Sequence, residues 1–314
     1  MWGWARRLLT VVGLMLSVAA VTGAAYQWIE TRRDLAATPP PGRLVDVQGR
    51  QIHIWCSGSG APAVILETGL GGTSADWGLV QPEAAKFTRV CSYDRAGMGY
   101  SDPGPSPRTA GRIARELAEL LERSGLTSPV ILVGASIGGL TVRLFASEYA
   151  EHVAGLVLVD ATPEDQLDPV PGLAAFVPLL SSTGILRLLG VSFGIGAESL
   201  APAVRRFARA TRHRAAGYNA AADEIIHAPV SAAEVKAARR KLTVPLVVVS
   251  AGRASDAMWR RLQRDQVGLS SVGCQMTAPD SGHAVAVEQP NIVVDAIRKT
   301  VEAARRGNRL ESCE

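Results

Sequence analysis

Pro129-Val-Ile-Leu-Val133 runs directly into Gly134-Ala-Ser136-Ile-Gly138-Gly139 and then into a helix-like segment, Ile137 to Tyr149. A serine spaced Gly-x-Ser-x-Gly between an apolar strand and a helix reads as a nucleophile elbow, a turn so sharp that the glycines must give up their side chains. The serine hydroxyl is then held out toward substrate. The next residue, Ile137, opens the helix, where a free N–H and the positive end of the helix dipole stabilise a developing oxyanion. Such a pentapeptide also occurs in ordinary turns, so its meaning depends on what surrounds it.

Outward from the elbow, short apolar runs and helical patterns alternate. Thr88 to Tyr93, Val130 to Val133, Leu156 to Val159, Leu246 to Ser250 and Gln275 to Ala278 read as buried strands, with helices at Arg108 to Arg123 and Ile137 to Tyr149. Upstream, Leu44 to Val47 and Gln51 to Cys56 alternate about Gln48-Gly49 as a hairpin, and Ala63 to Leu66 follows as a short strand. Alternation of this type predicts an α/β protein, a mostly parallel sheet covered by helices on both faces. Between Asp160 and Val244 the rhythm stops for about eighty residues of helical character, too long for a simple crossover. That interval reads as an inserted helical cap. Its first half, Gly172 to Leu180 and Ile185 to Leu189, is apolar; its second carries Arg205, Arg206, Arg209, Arg212 and Arg214, either a solvated face or one that rests on anionic lipid.

The amino-terminal residues differ in kind. Arg6 and Arg7 precede an uncharged stretch from Leu8 to Ile29, with Trp2 and Trp4 at one end and Tyr26 and Trp28 at the other. About 20 helical residues cross a bilayer core, and aromatic residues gather at its interfaces. A transmembrane signal anchor over 8–29 is therefore expected. A cleaved signal peptide ending near Thr22-Gly-Ala-Ala25 is the competing reading, and the length of the run favours the anchor. Both readings put the bulk of the chain outside the cytoplasm, although Arg32 and Arg33 nearly balance Arg6 and Arg7. The expected organisation is a basic segment at 1–7, the anchor at 8–29, a stiff Pro-rich linker at 30–42, a core at 43–160 and 243–304, the cap at 161–242 and a tail at 305–314.

The formal charge of +4 on 314 residues is small and its arginines are scattered among acids, which argues against a nucleic-acid partner. The chain carries no P-loop, dinucleotide glycine fingerprint or metal-spaced Cys/His cluster, so neither cofactor nor metal is expected. Cys56 and Cys91 lie in two of the expected strands; if these are neighbours they can form a disulfide, and otherwise they are two buried thiols. Cys274 and Cys313 have no local signal that pairs them.

A serine hydroxyl needs a base within hydrogen-bond reach. Of the five histidines, His283 follows the last strand in Pro279-Asp-Ser-Gly-His283, at the carboxyl edge of the sheet. His53 sits in an early strand and His152 in a connection, both read as structural; His213 and His227 belong to the cap. The acid that orients His283 is preferred at Asp256, in the order Ser, Asp, His, although its loop is about two residues longer than expected. Asp160, after the preceding strand, is the alternative acid. Asp280 is too close to His283 and reads as a turn residue.

Together these stretches resemble the α/β-hydrolase fold family from about Leu44 to the end. The marks are Gly134-Ala-Ser136-Ile-Gly138, Ser92-Tyr-Asp94-Arg95-Ala-Gly97-Met-Gly99-Tyr-Ser101-Asp102, Val153-Ala-Gly-Leu-Val-Leu-Val-Asp160 and Ser281-Gly282-His283. The resemblance implies an eight-stranded sheet with strands 2 and 4 adjacent, which would bring Cys56 to Cys91, and a cap after strand 6. It also implies a second oxyanion donor at the Leu70 N–H in Glu67-Thr-Gly-Leu70-Gly-Gly72, with Thr68 in place of the histidine often found there. Ala135 likewise replaces a familiar histidine that transfers no proton. Asp94, Arg95, Ser101 and Asp102 are expected to fix their loop by internal hydrogen bonds. The implied activity is a serine hydrolase acting on a small-molecule carboxylic ester, with a lipophilic or medium acyl group, through an acyl-enzyme. Amide, peptide or lactone cleavage and a non-catalytic binding protein on the same scaffold are the other readings.

Overall fold

In a computed structural model, which describes residues 2–166, 172–253 and 256–313, the chain builds one eight-stranded sheet. The strands are β1 (Arg43–Val47), β2 (Arg50–Ser57), β3 (Val64–Glu67), β4 (Val90–Tyr93), β5 (Val130–Ala135), β6 (Val153–Val159), β7 (Leu242–Ala251) and β8 (Ser270–Ala278), in the order β1-β2-β4-β3-β5-β6-β7-β8. β1 and β2 form the expected hairpin and β2 runs antiparallel to β4; the remaining pairs are parallel. Residues 167–171 of the expected cap, 254 and 255 of the loop before Asp256, Met1 and Glu314 lie outside the described residues.

The central strands are apolar throughout because both faces are covered, and a period of two sorts their side chains. Val130 and Leu132 of β5, Leu156 and Leu158 of β6, and Leu246 and Val248 of β7 point into one layer. The helices α3 (Ala110–Arg123) and α4 (Gly138–Glu148) complete that layer through Leu117, Leu120, Val142 and Phe145. Ile131 and Val133, Val157 and Val159, and Val247 and Val249 point into the other, where Val293, Ile297 and Val301 of the last helix and Trp77 meet them. In chain order the helices are α1 (Trp2–Ala37), α2 (Gln81–Ala84), α3, α4, then α5 (Val177–Ser182), α6 (Ile185–Leu188), α7 (Pro202–Thr211), α8 (Ala215–Ile226) and α9 (Ala228–Ala237) between β6 and β7, and finally α10 (Ala257–Val267), α11 (Val285–Glu288) and α12 (Pro290–Arg305).

The expected linker at 30–42 needs correction. Residues 30–37, assigned to the linker, continue α1, because an exposed Glu30–Arg33 pair and an Asp34–Arg187 pair favour helix and nothing breaks it before Thr38, whose α conformation Pro39 disfavours. Residues 38–42 do not hold the domain at a distance either: Tyr100 donates to the Thr38 carbonyl, and His53 bonds the Pro41 carbonyl. At the other end Cys313 is disulfide-bonded to Cys274 on β8, so the tail is tied to the sheet edge by a pairing with no local sequence signal.

Cys56 faces Cys91 in the antiparallel register of β2 and β4 and is bonded to it. Because the bridge closes a loop 35 residues long, the double variant Cys56→Ser/Cys91→Ser loses about 2–4 kcal/mol of stability. In thermal unfolding the expected result is a midpoint lower by roughly 5–10 °C, against an unchanged midpoint if the bridge is dispensable.

Candidate active site

Ser136 sits at the end of β5 with φ 52°, the left-handed region that non-glycine residues rarely occupy. Its neighbours explain the turn. A Cβ on Gly134 would strike the Val142 side chain, and one on Gly138 would strike the Thr68 carbonyl, so only glycine lets α4 leave β5 so steeply. The Ser136 N–H donates to the Val159 carbonyl at 3.2 Å, and the Thr162 N–H donates to the Ser136 carbonyl at 2.9 Å. Asp160, between those two residues, adopts φ 42°. The ends of two adjacent strands therefore turn together.

His283 joins them. Its Nε2 is 2.8 Å from Ser136 Oγ and its Nδ1 is 2.6 Å from Asp160 Oδ2. The carboxylate can only accept, so Nδ1 carries the proton and Nε2 is left as acceptor for the serine hydroxyl. Asp160 is 2 % exposed, and its second oxygen accepts from the Ala251 N–H at 3.1 Å and from the Trp259 Nε1–H at 2.9 Å. Trp259 also stands edge-on to the His283 ring, centroids 5.9 Å apart.

Asp256, the preferred acid in the sequence, is elsewhere: exposed, it caps α10, its Oδ1 accepting from the Trp259 N–H at 2.7 Å. The correction has a plain geometric cause. The carboxylate at the end of β6 already fills the position behind His283, and the loop after β7 instead starts the helix that supplies Trp259. Asp256 thus reaches the site only through the helix it caps.

Neither the Ile137 nor the Leu70 N–H has an acceptor among the described residues, and Gly69 packs against Ser136. The segment bearing Leu70 is clamped from behind by Arg95, which donates to the Thr68 and Gly69 carbonyls at 2.8 Å each, pairs with Glu67, and forks onto Glu224 of α8 at 2.8 and 2.9 Å. Arg95 is thereby a buried link between the sheet, the loop bearing Leu70 and the cap. Sequence reading assigned it to its own loop; the cap's Glu224 was not visible, since 129 residues separate the two. The rest of that loop follows expectation: Asp94 accepts from the Ser74 and Tyr100 N–H groups and from His53, and Ser101 donates to the Asp94 carbonyl. His152 is exposed, while His213 and His227 bond within the cap, none near Ser136.

Ser136 and His283 open into a cavity of about 320 Å³ lined by Leu70, Trp77, Val159, Ile195, Val285 and Ala286. One polar group missed by sequence reading shares that wall, Asp76. Burial pushes its carboxyl up to about 7, opposed by a hydrogen bond with the Thr73 backbone and reinforced by Asp94. Among the described residues no cluster of His, Cys, Asp and Glu is set to hold a metal ion.

Residues 62–193 match the sequence profile of the alpha/beta hydrolase fold. The uncharacterized protein YqjL of Bacillus subtilis is 25% identical over 251 residues, 76% of this chain and 83% of that one. An uncharacterized vacuolar membrane protein of Saccharomyces cerevisiae is 30% identical over 135 residues, 37% of this chain and 21% of that one. A thermophilic esterase from Thermogutta terrifontis superposes with a TM-score of 0.62 at 21% identity, covering 83% of this chain and 97% of the other. The chain spans less than a quarter of the length of the first curated relatives it matches. The chain has the α/β-hydrolase fold.

Because Asp76 binds its proton more tightly folded than unfolded, its contribution is favourable at low pH and is lost as pH rises from about 4, its unfolded value, to about 7. Asp94, held down at about 2 against its own burial by His53 and backbone donors, titrates below that window. Asp76→Asn is expected to flatten the fall in thermal midpoint between pH 4 and pH 7 and to be the more stable protein at pH 8; parallel pH profiles would contradict this.

Proposed function

We propose that this chain is a serine hydrolase that cleaves a carboxylic ester through an acyl-enzyme. The observation that carries the reading is the unbroken chain Ser136 Oγ, His283, Asp160 at 2.8 and 2.6 Å, beside two backbone N–H groups without acceptors among the described residues and an apolar cavity. Ser136 attacks the ester carbonyl carbon while His283 Nε2 takes the hydroxyl proton. Negative charge moves to the carbonyl oxygen, toward the N–H groups of Ile137 and Leu70. Collapse expels the alkoxide, which leaves as alcohol with the proton from His283. A water then repeats the sequence and releases the carboxylic acid. Asp160 holds the imidazole in the tautomer that accepts from Ser136 and stabilises the imidazolium that forms.

A lipophilic acyl group suits the cavity wall of Leu70, Trp77, Val159, Ile195, Val285 and Ala286. Two disulfides and an amino-terminal helix whose most apolar window has a mean hydropathy of 2.1 support a membrane-anchored protein with its hydrolase domain in an oxidising, extracytoplasmic compartment.

Wild-type protein should be labelled by a fluorophosphonate probe and turn over p-nitrophenyl esters, and Ser136→Ala should do neither; a folded wild type inert to both defeats the reading. Asp160→Asn should lower kcat by about 10³–10⁴-fold, whereas Asp256→Asn, which preserves a capping side chain, should stay within about threefold. Trp259→Phe keeps the ring and removes the N–H donor to Asp160; its kcat/KM should fall about 10-fold or more, the worth of a hydrogen bond to a charged group, and an unchanged value would leave Trp259 a packing residue only.

A further inference from the structure

The carboxyl-terminal half of α1 is docked on the cap rather than free of it. Gly23 lies against the Thr183 carbonyl so closely that a Cβ there would collide, and Gly184 packs on Gly23, Tyr26 and Gln27. Gln27, buried, donates to the His213 carbonyl at 2.6 Å, and Arg187 of α6 reaches Thr31 at 3.3 Å and Asp34 at 2.8 Å. The contact at Gly23 falls inside the uncharged run that ends at Ile29. Six residues of helix are about 9 Å at 1.5 Å per residue, so the cap grips the helix below the level marked by Trp28 and the Arg32 stacked on it.

Beside that contact the cap shows water an apolar face. Phe176 is 59% exposed, Leu179 62%, Leu188 67% and Leu189 70%, with Ile185 between them. These residues flank the docking contact: Leu179 lies in α5, which packs on α1, and Ile185 follows Gly184 directly. A row of isolated leucines would need no explanation, but a cluster continuous with a bare apolar helix does. From Leu189 the chain runs through Val191 and Phe193 to Gly194 and Ile195, which line the cavity of Ser136. A mostly apolar stretch of chain, interrupted at Ser192, therefore joins the flank of α1 to the cavity at Ser136.

We propose that this cap face is seated in the lipid surface around α1, at the boundary of headgroups and acyl chains, and that the substrate is a membrane-resident ester that reaches Ser136 from the bilayer along 189–195. The occupant is lipid rather than a second copy of the chain, because the face is set at a depth that α1, spanning a bilayer, would itself carry into the interface. An amphipathic surface of this type sinks about 5–10 Å into that boundary, which matches the depth of the Gly23 contact. Arg187, turned up toward Thr31 and Asp34, keeps its charge on the polar side while Leu188 and Leu189 remain in the apolar one. The proposal rests on α1 spanning the membrane and on Ser136 being the nucleophile.

The test uses the full chain in phosphatidylcholine vesicles, with an environment-sensitive fluorophore on Leu188→Cys and, as control, on Glu122→Cys of α3. Lipids carrying a nitroxide near the glycerol should quench the first strongly and the second not at all, at every protein-to-lipid ratio. Separately, Leu179→Glu/Leu188→Glu/Leu189→Glu should lose about tenfold or more of its turnover on a long-chain ester dissolved in the vesicles. Its turnover on a short water-soluble ester and its fluorophosphonate labelling should stay those of the wild type. Equal quenching at both positions, energy transfer between labelled copies in place of lipid quenching, or equal loss on both esters would overturn the docking while labelling of Ser136 leaves the hydrolase reading standing. Absence of labelling in the wild type would instead remove the hydrolase reading, and release of the chain from vesicles by carbonate would remove the anchor.

Discussion

The seam between the carboxyl ends of β5 and β6 is the constraint on which the site depends. Ser136 and Asp160 both stand in the left-handed region, and the backbone of one is hydrogen-bonded to residues on either side of the other. Each strained conformation costs on the order of 1–3 kcal/mol and persists only where surrounding structure over-determines it. Here glycines supply the room: Gly134 beneath Val142, Gly138 beneath the Thr68 carbonyl, and Gly139 against Ala161 next to Asp160. The strain holds two polar side chains at the sheet edge at a separation one imidazole can bridge.

Around that seam the supports come from distant parts of the chain and converge on different atoms. Ala251 from β7 and Trp259 from α10 saturate the outer oxygen of Asp160, leaving the inner one for His283. Asp256 contributes only as a cap, yet that cap starts the helix whose first turn holds Trp259. Arg95 performs the corresponding service for the loop bearing Leu70, using two carbonyls of the loop, Glu67 of the sheet and Glu224 of the cap. A buried arginine is costly without such partners and, once fully paired, resists any movement that would unpair it.

The Arg95–Glu224 pair also ties the cap to the loop that packs against Ser136. The same cap grips α1 through Thr183, Arg187 and the His213 carbonyl. Sheet, Leu70 loop, cap and amino-terminal helix are in this way linked by short polar contacts rather than by apolar packing alone. The helix is therefore a structural neighbour of the cap, and its continuation through 30–37 is what brings Thr31 and Asp34 within reach of Arg187.

Local pattern was enough for the elements and for the order of the sheet's chemistry. Apolar runs of period two, the Gly-x-Ser-x-Gly turn and the Ser-Gly-His loop lie within a few residues each, so the strand positions, Ser136, His283 and the helical insert after β6 were legible in the sequence. What the sequence ranked the other way was Asp256 over Asp160, since both follow apolar strands and both fit the order along the chain. That choice belongs to the tertiary structure: it depends on which strand end lies beside the elbow, on an αL turn at a non-glycine residue, and on a tryptophan 99 residues away that completes the carboxylate's bonds. The Cys274–Cys313 bridge, the Arg95–Glu224 clamp and the docking of α1 on the cap were hidden for the same reason, because each is a meeting of side chains that only the folded sheet and cap bring within bonding distance.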